Sequence, residues 1–310
     1  MKRGLIYFVL LLGTVLLMAP LGFMLLMSVA TENEAQQMRA GLGAAVDAFS
    51  ETEGVTWGDR AGNYPAALKR LGSATALAAP GAGPQGEAPA AGLAEWTGFV
   101  DALANSVVIT VLCVVGTVLS CSLVGYAFAR LPFRGQNVLF LVMLGTMMLP
   151  VQVTMIPLFL LFRGLGWLDT MLPLVVPAFF GTAFFVFMFR QFFSQVPEEL
   201  LESARVDGAS ELGVWWRVML PVCKPVAAIT AIFTFIWTWN DFMGPLIYLQ
   251  SPEKYTLSLA LNSFKGQYAG VKDANLLMAA SIVTMLPCVL LFFAAQRYFV
   301  QGLTQGSVKG

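Results

Sequence analysis

The chain has 310 residues, 57% of them hydrophobic and only 12% charged, with 18 basic side chains balancing 18 acidic ones and no histidine. Soluble domains carry about 25% charged residues, so a mean hydropathy of +0.73 excludes an ordinary water-facing surface and fits a body solvated by lipid. Zero net charge gives no support to a nucleic-acid partner, and the lack of histidine excludes Ser-His-Asp and Cys-His catalysis, His-ligated zinc and imidazole proton relays.

A membrane-spanning helix needs about 20 mainly apolar residues to cross a core about 30 Å thick. In chain order, Leu5–Met27, Asn105–Phe128, Val138–Phe162, Met171–Arg190, Val222–Trp239 and Leu276–Gln296 qualify. They predict an all-α integral membrane protein with six transmembrane helices. Lys2-Arg3 before the first run and Ser28-Val29-Ala30 after it also suit a cleaved signal peptide, although the run is longer than the usual signal core of about 7–15 residues.

Ser28–Ala104 differs in kind, being rich in Ala, Gly and Pro and bearing Glu32, Glu34, Asp47, Glu51, Glu53 and Asp59. An amphipathic helical part is expected near Glu34–Phe49, then a low-complexity stretch at Ala74–Gly92 with a flexible tract around Pro80–Pro84. A spacer or small cap outside the membrane is one reading, a partner-binding lobe the other.

Small residues in the second span, Gly116, Ser120, Ser122 and Gly125, predict close helix–helix contact. Proline at 150, 157, 173 and 177 is tolerable where neighbouring helices satisfy the freed carbonyls. Cys113, Cys121, Cys223 and Cys288 lie in or beside apolar runs and are read as small apolar side chains rather than metal ligands or disulfides.

The connection at 195–221, between the fourth and fifth spans, is the most informative. Pro197 suits the first position of a helix, and Glu198 and Glu199 oppose the positive end of its dipole. The helix should run to about Val206 and stop at Gly208, which tolerates the left-handed conformation that ends helices. Ser210 is a good N-cap for a second short helix, ended by Pro221. Leu200, Leu201, Ala204 and Trp215-Trp216 are expected to face the membrane body, and Glu202, Arg205 and Asp207 water or a partner. Such a knob can pass a push from a soluble protein into the flanking spans, although an ordinary helical connector has the same shape.

Beyond the fifth span, Trp237, Trp239, Asn240 and Asp241 join aromatic faces to polar groups, which suits the path of a sugar. An interfacial aromatic belt accounts for the tryptophans as well. A carboxylate such as Asp241 near membrane depth needs a partner or water. Basic residues in short loops set orientation: Lys2, Arg3, Arg130, Arg134, Arg190, Arg205, Arg217, Lys224, Arg297 and Lys309 place both termini and the 195–221 loop in the cytoplasm. Lys254, Lys265 and Lys272 weaken the contrast. On this topology Ser251–Asn275 faces outside.

The motif Glu202-Ser203-Ala204, Asp207-Gly208-Ala209, Leu220-Pro221 closely resembles the "EAA" loop of binding-protein-dependent ABC importer permeases, with Ser203 where the pattern has Ala. The tail Gln296–Gly310 and the segment Trp239-Asn240-Asp241-Phe242 with Pro245-Leu246 resemble the maltose-type carbohydrate branch. The resemblance covers about 105–310. It implies a MetI-like ABC importer permease fold with a cytoplasmic coupling-helix hairpin, in a bacterial inner membrane. It also implies a second permease subunit, a nucleotide-binding ATPase dimer and an extracytoplasmic solute-binding protein as partners, with membrane lipid around the spans. No cofactor belongs to the chain itself: it has no G-x-x-x-x-G-K-[ST] phosphate loop, and ATP would be bound by the partners. Glu202 and Asp207 would then meet basic groups of the ATPase subunit, Gly208 would allow the turn, Ala204 and Ala209 would permit close approach, and Ser203, still small, should change little. The chain divides into 1–27 with the first span, the extracytoplasmic loop 28–104, the permease core 105–296 and the tail 297–310. An ion-gradient-driven secondary transporter would need acidic or histidine relays deep in the spans, and a membrane enzyme would need paired carboxylates or metal spacing; the chain offers neither.

Overall fold

The computed structural model describes residues 14, 18, 21–32, 34–35, 55–77, 93–268 and 274–305. The chain divides into two compact units, Met1–Leu103 with Tyr255–Pro287, and Ala104–Lys254 with Cys288–Gly310. In chain order the helices are α1 (Trp57–Ala61), α2 (Asn63–Leu77), α3 (Leu93–Arg130), α4 (Gln136–Thr146), α5 (Val151–Gly164), α6 (Leu172–Val175) and α7 (Ala183–Phe193). They continue as α8 (Glu198–Val206), α9 (Glu211–Val214), α10 (Leu220–Val222), α11 (Lys224–Trp239), α12 (Met243–Tyr248), α13 (Leu257–Tyr268) and α14 (Ala274–Gln305).

Among the described residues, three stretches are long and apolar enough to cross a membrane: Gly98–Arg130, Leu172–Phe193 and Ala274–Gln296. They match the second, fourth and sixth predicted spans. The third departs from expectation. Where one span was predicted over Val138–Phe162, α4 and α5 meet at a bend of 100°. Pro150 explains the break: it has no N–H to donate, it disfavours helix at Leu149, and it adopts an extended ψ of 136° as the N-cap of α5. The fifth, Val222–Trp239, is continuous from Lys224 as the 16-residue α11, which meets the hairpin stretch Glu211–Val222 at a bend of 80°. Counting each bent pair as one span gives up to five among the described residues. The first predicted span lies largely outside them, with 21–29 helical.

The second unit is built on α3. A Cβ at Gly116 would lie 2.7 Å from the Phe179 ring, and one at Gly125 would lie 2.6 Å from Phe189 Cβ. The Ser120 hydroxyl donates to the Ala178 carbonyl at 3.0 Å, and the Cys113 thiol to Leu174 at 3.3 Å. Three of the four predicted small residues therefore do seat the Leu172–Phe193 stretch on α3; Ser122 bonds within its own helix, to Leu119. All four cysteines are free.

In the first unit, part of the Ala/Gly/Pro-rich segment is folded. Arg60 and Glu34 form a buried bidentate pair at 2.8 and 2.9 Å, and Glu34 also accepts the Thr31 N–H. Asn63 donates to the Ser28 and Ala30 carbonyls at 2.8 Å, and Asn275 adds a third bond, to Ala30. Thr56 and Asp59 cap α1 reciprocally, and α13 packs along α2. The helix expected near Glu34–Phe49 lies outside the described residues apart from 34 and 35, and so does the tract around 80–84; Ala74–Leu77 forms the end of α2.

Candidate functional site

The connection after α7 folds as a helical hairpin. Pro197 adopts φ −58° and ψ 139° and is the N-cap of α8, one position earlier than expected, and Glu198 takes the first helical position. Two acidic residues then sit against the positive end of the helix dipole. The helix closes after Val206. The Gly208 N–H donates to Arg205 O and the Ala209 N–H to Ala204 O, both at 3.0 Å. This pair of bonds satisfies the last carbonyls and requires a left-handed residue between them, and Gly208 has φ +83°. Ser210 caps α9 by accepting the Gly213 N–H at 3.3 Å. The second helix does not stop at Pro221. It widens through a π turn at Trp215–Met219, where the Leu220 N–H reaches back to Trp215 O, and breaks only at Cys223. Widening just ahead of Pro221 makes room for a ring that has no N–H to offer.

One face of the hairpin is glued to the bundle by apolar packing. Leu201, Val214, Trp215, Met219 and Cys223 are buried in one cluster with Tyr126, Phe185, Phe189 and Phe193, and Ala204 and Ala209 pack against it. Leu200 and Trp216, expected to face the body, are exposed at 45% and 55%. Successive helical residues point about 100° apart, so a single seated stripe takes Leu201 and Trp215 and leaves their neighbours outside. Glu202, Ser203, Asp207 and Gly208 are exposed, and so are Val206 at 86% and Leu212 at 65%. The motif residues thus separate by role: Glu202, Ser203, Asp207 and Gly208 lie on a free face, while Ala204 and Ala209 are half-buried on the chain's own core.

A ladder of charges fixes how the hairpin sits. The Tyr126 hydroxyl on α3 donates to Glu211 Oε2 at 2.6 Å, and Arg205 Nε donates to the other oxygen of that carboxylate at 3.0 Å. Arg205 also reaches Glu198 at 2.9 Å, and Glu198 accepts from Arg130 at 2.6 Å. Arg130, the last residue of α3, donates further to the carbonyls of Phe193 and Val196. The Tyr126 hydroxyl and then Arg205 hold the Glu211 carboxyl below its usual range, and Glu211 and Glu198 push Arg205 further up. Arg205 is therefore engaged inside the hairpin instead of being free for a partner. Motif reading missed Tyr126 and Arg130, since their partners are 63 to 85 residues away in the chain, and the Tyr126 side of Glu211 for the same reason.

The four residues considered for a solute path do not converge. Trp237 is 54% exposed beside Phe185 and Phe233, whereas Trp239 is buried and stacked on Phe235 at 5.4 Å. Asn240 is exposed and bonds to Ile236 O. Asp241 spends one oxygen on the Gly244 N–H at 3.1 Å, which holds the turn into α12.

Residues 121–305 match the family model described as "binding-protein-dependent transport system inner membrane component". The chain is 40% identical over 215 residues to the arabinooligosaccharides transport system permease protein AraQ of Halalkalibacterium halodurans, covering 69% of this chain and 75% of that one. It is 36% identical over 205 residues to the lactose transport system permease protein LacG of Rhizobium radiobacter, covering 66% and 74%. Its fold is similar to a chain of a bacterial ABC transporter involved in the import of the acidic polysaccharide alginate, with TM-score 0.68, 22% identity and 96% of each chain covered. A hairpin seated on an apolar helical body, in a chain whose larger part matches this family, identifies the protein as a member of the binding-protein-dependent inner membrane components, the permease subunits of ABC importers.

Proposed function

We propose that this permease subunit carries a sugar or related small solute across the inner membrane, driven by separate ATPase subunits that grip the 195–221 hairpin. The observation that carries the proposal is the two-sided hairpin: one face packs into the bundle while Glu202, Ser203, Val206, Asp207 and Leu212 stand free. Val206 and Leu212 offer apolar contact, and Glu202 and Asp207 offer charge-assisted bonds to basic groups. Relatives named for arabinooligosaccharides and lactose support a sugar cargo. Six spans are proposed, with Leu5–Met27 as the first, α4 and α5 together as the third and α11 as the fifth, both termini in the cytoplasm, a second permease subunit alongside, and a solute-binding protein outside. ATP is bound by the partners. Trp237, Trp239, Asn240 and Asp241 are proposed to border the solute path; the exposure of Trp237 and Asn240 supports contact for those two.

The test is ATP-driven uptake of labelled oligosaccharide in proteoliposomes holding the permease pair, the ATPase subunits and the binding protein. Glu202→Lys should insert normally yet abolish uptake and ATPase stimulation. Wild-type transport by that variant, or uptake that follows an ion gradient without ATP, overturns the proposal.

A further inference from the structure

Away from the hairpin, Asp169 makes a set of contacts that the coupling motif does not explain. It lies in the connection between α5 and α6 with φ 56°, a left-handed conformation uncommon outside glycine, though aspartate tolerates it better than most residues. Its Oδ1 accepts the N–H groups of Gln250 and Ser251 at 2.9 and 2.8 Å, and its Oδ2 accepts the Ser251 hydroxyl at 2.5 Å and Lys254 Nζ at 2.8 Å. Its main-chain oxygen takes a further bond from Lys254 at 2.6 Å, and its N–H donates to Tyr248 O at 2.8 Å. Burial would raise this carboxyl, but Lys254, the Ser251 hydroxyl and the two N–H groups outweigh it and hold it well below the usual range. Beside it Phe162 stacks on Trp167 at 5.6 Å and meets the edge of Tyr248 at 5.3 Å. The same segment is tied to α3, because Asn105 donates to Glu253 O at 2.7 Å.

A strained backbone survives only where its surroundings over-determine it, and here six hydrogen bonds do so. Asn105 lies about 38 Å along α3 from Arg130 at ~1.5 Å per residue, and Arg130 holds the hairpin. One helix is thus pinned at two places, to the hairpin by Arg130 and Tyr126, and to the 248–254 segment by Asn105. We infer that Asp169 is a positioning residue for transport, a latch that keeps the α5–α6 connection and the Tyr248–Lys254 segment closed as one piece throughout the cycle. Displacement of the hairpin then reaches the far ends of α3, α5 and α12 together and is not lost by one peeling from another. This rests on the coupling role proposed for the hairpin.

The experiment replaces the latch by a covalent one. An Asp169→Cys, Ser251→Cys double variant is reconstituted with all partner subunits, and solute moved per ATP hydrolysed is measured before and after oxidation, with wild type as the control for the native thiols. Reduced, the ratio should fall about tenfold while ATP hydrolysis persists, a loss of coupling within the usual range for such contacts; oxidised, it should return. An unchanged ratio in the reduced form overturns the inference, and so does an oxidised form that stops transporting until reduced, since the connection would then open in each turnover. If the double variant fails to insert, Asp169→Gly decides: it keeps the left-handed turn and loses the four side-chain bonds, and an unchanged ratio refutes the latch. Failure of the hairpin's own role reads differently, as Glu202→Lys with undiminished uptake.

Discussion

Replacing Gly208 separates two costs that are usually mixed. A Cβ built there meets nothing within 4 Å, so the chain by itself imposes no steric penalty. What remains is conformational: φ is +83°, and a left-handed backbone costs an L-residue roughly 1–2 kcal/mol, less for Asn and more for a β-branched side chain. Gly208→Asn should therefore be nearly silent in thermal unfolding of the detergent-solubilised chain. Gly208→Ala should lose about 1 kcal/mol and Gly208→Val about 2 kcal/mol or more. In the assembled importer the same substitutions meet a second surface if an ATPase subunit closes on the turn. Uptake should then fall by much more than the roughly fivefold to thirtyfold that 1–2 kcal/mol supplies, at ~1.4 kcal/mol per tenfold. The pair of assays, unfolding of the free chain and ATP-driven uptake of the complex, measures the excess. Wild-type uptake by Gly208→Val refutes the docking of this turn, and an uptake loss no larger than the free-chain cost refutes contact at this position.

Other perturbations follow from the same contacts. Glu211 is held below its usual pKa, so its ionised form stabilises the fold; that contribution is complete above the ordinary glutamate value of about 4.3 and is lost as pH falls through the lower folded value. The stability gap between wild type and Glu211→Gln, followed by chemical unfolding from pH 7 downward, should shrink in acid and not in base. Arg60→Ala leaves the buried Glu34 carboxylate without its main partner and should cost about 3–5 kcal/mol, read as a lower unfolding temperature; a loss under 1 kcal/mol would contradict the burial. Gly125→Ala drives a Cβ to 2.6 Å from Phe189 Cβ and 3.1 Å from the Arg190 nitrogen, an overpacking cost of about 1–3 kcal/mol. Gly145→Ala, with nothing within 4 Å, should be tolerated.

What could be read in advance was local. Gly208 and Ser210 act within four residues of themselves, and both behave as capping rules demand. The long apolar runs of α3 and α14 were likewise plain, because lipid requires them. The α4–α5 bend was harder, since apolar residues on every side of a run look the same whether it crosses straight or turns at Pro150. The side on which Leu200 and Trp216 fall depends on how wide a stripe the bundle covers, which no helical wheel contains. The Tyr126–Glu211 and Asp169–Lys254 contacts join residues 85 apart in each case, and nothing local to either partner points at the other.

The relative strength of the hairpin's two attachments decides what each does. Leu201, Val214 and Met219 are fully buried, and burying a side chain of that size is worth about 1.5–3 kcal/mol, so the apolar stripe supplies several kcal/mol. The ladder is more open: Glu198 is 48% and Arg205 33% exposed in the pair they share, and such exposed pairs contribute about 0.2–1 kcal/mol each. Arg130, at 12% exposure and bonded to two main-chain carbonyls as well as Glu198, is the one rung with more weight. Attachment is therefore hydrophobic, and orientation is electrostatic. A smooth apolar stripe resists lifting but resists rotation about the helix axis far less, because a buried leucine keeps its contacts through a small twist. The ladder crosses that axis, from α3 through α8 to α9, and its bonds lengthen at once when the hairpin turns. If a partner closes on the free face, the torque it applies passes into α3 through Arg130 and Tyr126.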